Sequence, residues 1–77
     1  MIVVDGMSID LVHLRHDGRS YGIRSEELDV GDNATRGDLF SAVERHLDLD
    51  NGVLANHELD IAEETANATI RPAAKFG

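Results

Sequence analysis

The sequence predicts an α+β domain with the element order β-β-α-β-β, and three observations carry that prediction. Residues 32–49, DNATRGDLFSAVERHLDL, place Leu39, Val43 and Leu47 at helical spacing with Phe40 beside them. Asp17-Gly18 separates two strand-like runs, a short-range hairpin signal because both positions tolerate the positive φ of a type I′ turn. Beyond the helix, Leu59 and Ile61 alternate with Glu58 and Asp60, and Thr69-Ile70-Arg71 forms a last apolar-centred run.

Taken in order, Met1–Val4 is too short an apolar start for a signal peptide and meets Asp5 at once. MSIDLV from Met7 opens a strand pattern more naturally, so residues 1–7 read as a flexible start and Met7 as an alternative first residue. Ser8 to His16 then reads as one strand, with Ile9, Leu11 and His13 on one side and Val12 and Leu14 on the other. Its partner, Arg19 to Arg24, puts Tyr21 and Ile23 on one face, continued by Leu28 and Val30 after a bulge or short loop at Ser25-Glu26-Glu27. Gly31 to Ala34 is a turn into the helix.

Thr35 is placed to cap that helix, and Asp38 three residues on completes a capping box with Asp in the usual Glu position. Gly37 in the first turn costs about 1 kcal/mol relative to Ala, which the amphipathic face outweighs. Asp48, Asp50, Asn51 and Gly52 end the helix, the Asn-Gly pair suiting a left-handed stop. Arg45 and His46 partly offset the two aspartates at the negative end of the helix dipole. Val53 and Leu54 give a short apolar return, and Glu63 to Asn67 links the last two strands. Pro72 donates no backbone hydrogen bond, so it puts its strand at a sheet edge or ends the pairing there. Residues 73–77 read as a flexible tail.

At 77 residues the chain builds one domain with one small core, aliphatic because Tyr21, Phe40 and Phe76 are the whole aromatic set. The absence of cysteine excludes a disulfide framework, a thiolate metal site and a thiol nucleophile. A formal charge of -8, from 15 acidic residues against six Arg and the single Lys75, argues against nucleic acid or an anionic membrane as partner. Arg favoured over Lys on an acidic surface resembles the composition of salt-loving or high-GC organisms. No window approaches the ~18 apolar residues of a membrane span, and a cytoplasmic location is expected.

The candidate chemistry is thin. His13 and His16 lie an odd number apart on one strand and so point to opposite faces, while His46 and His57 fall on other elements. DLDNG at residues 48–52 begins like a calcium loop, but its glycine comes one residue early and the bidentate position would fall on Leu59. Asn33-Ala34-Thr35 and Asn67-Ala68-Thr69 match the N-glycosylation pattern, with no export signal to deliver them. Ser8, Ser20, Ser25 and Ser41 lack a histidine at motif spacing. The pairs Glu26-Glu27 and Glu63-Glu64 lie in solvated loops where no pKa would shift. The expectation is a non-enzymatic protein with no metal and no cofactor.

The hairpin, then LDVGDNATRGDLFSAVERHLDL, then a short return and a final strand together resemble the β-grasp, ubiquitin-like family over most of residues 8–77. The resemblance implies a single ubiquitin-like domain over residues 1–77, a mixed sheet with one helix packed across it, and Leu39, Phe40, Val43 and Leu47 meeting Leu11, Ile23, Val30 and Ile70. Within that family the chain looks most like the small prokaryotic modifiers and sulfur carriers, whose terminal Gly-Gly carboxylate is adenylated by an activating enzyme and becomes a thiocarboxylate or an isopeptide. Gly77 is the residue that carries over as the conjugation or thiocarboxylate position, and Phe76 stands where those carriers have Gly. The family's other role is as a plain interaction domain, recognising a protein partner through the sheet face or an exposed edge. That role implies an interaction surface at Ile70, Arg71 and Phe76.

Overall fold

The computed structural model describes residues 1–73. Six strands and one helix follow the chain: β1 (Ile2–Val4), β2 (Met7–Ile9), β3 (Leu11–His16), β4 (Arg19–Arg24), α1 (Arg36–His46), β5 (His57–Ala62) and β6 (Asn67–Pro72), with a 3-10 turn at Ser25–Glu27. The main sheet has the order β4-β3-β6-β5. Its central pair, β3 and β6, is parallel, and both flanking pairs are antiparallel. A parallel pair needs a crossover connection, and α1 provides it. This is a β-grasp arrangement: a mixed sheet with one helix set against one face.

That face is fixed by register. Val12 lies opposite Ile23 and Ala68, and Leu14 opposite Tyr21 and Ile70. Val12, Leu14, Ile23, Ala68 and Ile70 share one core with Leu39, Phe40, Ala42 and Val43 of α1, while Val30 and Leu47 are partly buried against it. Leu11 is a correction. It was expected under the helix, but it falls on the opposite face and is only half-buried. Residues 8–16 are not one strand, because the chain turns at Asp10, whose N–H donates to the Ala66 carbonyl at 2.7 Å and whose carbonyl accepts from Ser25 N–H at 2.9 Å. The alternation restarts after this break, so Ile9 and Val12, three residues apart, are both fully buried.

The start of the chain is a second correction. Residues 2–9 form a hairpin, β1 pairing with β2 through Ile2 opposite Ile9 and Val4 opposite Met7. Asp5 and Gly6 take φ of 51° and 80°, the pair of positive values that a two-residue type I′ turn requires. Val4 is fully buried, and the hairpin is stitched to the turn before α1 by Asp5 N–H to Ala34 O (3.0 Å) and Ala34 N–H to Val3 O (3.1 Å). Burying Ile2, Val4 and Ile9 holds this segment in place, since each such side chain is worth about 1.5–3 kcal/mol.

The capping box forms as expected: Asp38 N–H donates to Thr35 Oγ1 at 3.2 Å and Thr35 N–H to Asp38 Oδ2 at 3.0 Å. The left-handed residue directly after the helix is Asp48, at φ 56°, with Gly52 at φ 87° further along the loop. Val53 and Leu54 lie in that loop without forming a strand, yet Leu54 is fully buried.

Candidate functional site

Because α1 occupies one face of the main sheet, the side chains of the other face stand away from it. The alternation that turns Val12, Leu14, Ala68 and Ile70 inward turns Leu11, His13, Arg15, Thr69 and Arg71 outward, with Glu58 and Asp60 beside them on β5. Register makes a row of His13, Thr69 and Asp60 across three strands. Arg71 lies half-exposed, its guanidinium 2.6 Å from Asp60 and 3.6 Å from Glu58. Exposed pairs of this kind contribute at most about 1 kcal/mol, so these charges are oriented at little cost to the fold and are free to exchange partners.

Of the residues expected to form an interaction surface, Ile70 is corrected. It sits on central strand β6 facing the helix, fully buried, and so offers nothing to a partner. Pro72 ends the pairing of β6 opposite His57 and does not mark an edge. Arg71 does lie on the outer face. Phe76 and Gly77 lie outside the described residues, as does most of the expected tail, while Ala73 N–H donates to the Asn56 carbonyl at 3.3 Å.

The edges of the main sheet are β4 and β5. On β5 the His57 carbonyl accepts from the Arg36 guanidinium of α1. Near the β3–β4 turn, Asp17 and Gly18 take φ of 52° and 73°, as the Asp-Gly signal predicted. Beside that turn, Arg15, His16, Arg19, Ser20, Arg71 and Pro72 line a concavity of about 290 Å³. Three of the chain's six arginines thus gather at one end of the molecule, with Asp17 lining the same concavity.

The histidines depart most from expectation. His13 and His16 do point to opposite faces, but His16 meets His57, its Nδ1 3.3 Å from His57 Nε2 and the ring centroids 5.2 Å apart. Continuing the β3–β6 register two residues past Leu14 and Ile70 brings His16 level with Pro72, which pairs with His57 on its other side. The two imidazoles therefore meet across the end of the central strand. His57 is 8% exposed, and its Nδ1 has no hydrogen-bond partner. Burial, with a lesser contribution from the charge of His16, lowers the His57 pKa below the usual 6.5. No spacing in the sequence encodes this pair, since its members are 41 residues apart and meet through strand register.

Among the described residues, no three His, Asp or Glu side chains converge as a metal cluster, and no helix is long and apolar enough to cross a membrane. Comparison with family models, curated proteins and solved structures finds no match for this chain.

Proposed function

We propose that this chain is a non-catalytic, ubiquitin-like interaction domain that recognises a protein partner through the outer face of its main sheet. The observation that carries the reading is the division of the sheet: one face is closed by α1, and the other presents His13, Arg15, Thr69 and Arg71. The Arg15, Arg19 and Arg71 end would receive an acidic segment of the partner, because guanidinium groups hold carboxylates in paired hydrogen bonds. Affinity capture from native cells tests this, comparing the native chain with Arg15→Glu and Arg71→Glu. Loss of the same captured protein with both variants is the expected result, and an unchanged set of captured proteins would end the proposal.

A second reading, a modifier or sulfur carrier activated at the Gly77 carboxylate, has one structural feature in its favour: the chain leaves the sheet from central strand β6, close to its C-terminal residues. Intact-protein mass spectrometry on material from native cells tests it. A thiocarboxylate at Gly77 or a conjugate on a lysine is the expected finding, and finding neither under sulfur limitation would reject the idea.

A further inference from the structure

His16 Nδ1 and His57 Nε2 share a hydrogen bond of 3.3 Å, and the burial of His57 decides which ring donates. A neutral imidazole carries one N–H and one lone pair, so the bond can run either way. If His16 Nδ1 donated, His57 would hold its own proton on Nδ1, an N–H sealed in a dry site without an acceptor. If His57 Nε2 donates, only a bare lone pair is left at that buried position. The second arrangement also gives both rings the Nε2–H form, the one that free histidine favours. His16 therefore accepts at Nδ1 and keeps its proton on Nε2. That nitrogen makes no hydrogen bond among the described residues and is not sealed off, so it is open to solvent where His16 lines the arginine concavity.

We propose that, on the reading of this end of the sheet as a recognition surface, the concavity receives a phosphoryl group borne on a partner's side chain, with His16 Nε2–H as one of its donors. Arg15 and His16 come from β3, Arg19 and Ser20 from β4, and Arg71 from β6, so donors converge from three strands. A planar carboxylate is satisfied by a single guanidinium fork, whereas a tetrahedral phosphoryl group presents three oxygens in three directions. Among the described residues Arg15 and Arg19 make no ion pair, and Arg71 is held only by the exposed carboxylates of Asp60 and Glu58. A volume of about 290 Å³ admits the group together with the end of the side chain that bears it. Asp17 also lines the concavity and opposes an anion there. His57 touches no ligand in this arrangement; it is a positioning residue that fixes the proton of His16.

Titration of the full-length protein, labelled with nitrogen-15 at histidine, with acetyl-phosphoserine amide, inorganic phosphate and acetyl-glutamate amide tests the site. Before any ligand is added, the imidazole resonances should show His16 in the Nε2–H form. The phosphoserine amide should bind at least about fivefold more tightly than the glutamate amide and no more weakly than phosphate, shifting His16 Nε2 while His13 stays unmoved. Arg19→Gln should weaken that binding about tenfold. Asp17→Asn, which keeps a residue suited to the positive φ of the turn, should strengthen it. His57→Leu should release His16 into a mixture of both forms and weaken phosphoserine binding; should that variant fail to fold, the form of His16 in the native chain still decides. His16 found in the Nδ1–H form, equal binding of the two amides, or binding of phosphate alone would overturn the proposal. Each of those results leaves the sheet-face reading standing if Arg15→Glu and Arg71→Glu still lose the captured protein.

Discussion

Glu44 holds Leu54 in the core. Its Oε2 accepts from Leu54 N–H at 2.9 Å and its Oε1 from Gly52 N–H at 3.0 Å, so one carboxylate in the last turns of α1 fastens the whole return loop. The side chain is buried and makes no ion pair among the described residues; the two backbone donors are what make a buried carboxylate tolerable. Glu44→Ala leaves both donors without a partner and should cost about 2–4 kcal/mol. Glu44→Gln keeps the shape but turns one acceptor into a donor facing another N–H, and should cost about half as much. Urea denaturation midpoints for the two variants check the ordering, and equal costs would show that losing one acceptor is as damaging as losing the whole side chain.

The N-terminal hairpin contributes to the core and to the approach of α1, through the parallel bridge between Val4 and Ala34. A chain beginning at Met7 loses Ile2 and Val4 from the core and uncovers Ile9. It should be destabilised by about 3 kcal/mol or more, a large share of the stability of so small a domain. Thermal denaturation of the shortened and full chains measures this directly. A melting temperature unchanged on truncation would mean that the hairpin rests on the fold without supporting it.

These two features separate what was legible in the sequence from what was not. The helix, its Thr35–Asp38 box and the Asp17-Gly18 hairpin are local, and each was readable because the residues that form it are adjacent. Asp5-Gly6 carries the same dipeptide signal as Asp17-Gly18 and makes the same turn, but the strands around it are only three residues each, too short for an alternation to show. Leu11 was misplaced because a turn at one residue, Asp10, reverses the facing of all that follows. Ile70 was misplaced because position within a sheet is a non-local property: its strand is central only because β3 pairs with it in parallel across more than fifty intervening residues. The His16–His57 meeting is non-local for the same reason, whereas the Glu44 clasp reaches only 8 and 10 residues along the chain, from helix to loop.

The capping box makes a smaller prediction about α1. Thr35→Ala removes the acceptor for Asp38 N–H at the first turn and should cost about 1 kcal/mol. Asp38→Asn keeps an oxygen for Thr35 N–H but removes the negative charge from the positive end of the helix dipole, and should cost a few tenths of a kcal/mol. Hydrogen exchange at Gly37, Asp38 and Leu39 should report the loss in Thr35→Ala before global unfolding does. Uniform acceleration across the whole helix would show that the cap does not act locally.

The lowered pKa of His57 gives the fold a dependence on pH whose sign can be worked out. Burial is the main cause and the charge of His16 the lesser one. In the native state His57 stays neutral at pH values where the unfolded chain, with an ordinary histidine pKa of 6.5, already binds a proton. Stability therefore rises with pH wherever the unfolded state holds the extra proton. The contribution is fully present above 6.5 and is progressively lost as pH falls below 6.5 toward the lowered native value. Denaturation between about pH 5 and 8 should show stability declining on the acid side. His57→Leu should flatten that slope, and His16→Gln should reduce it only partly because desolvation remains. An equal acid-side slope in the native chain and His57→Leu would assign the dependence to other groups.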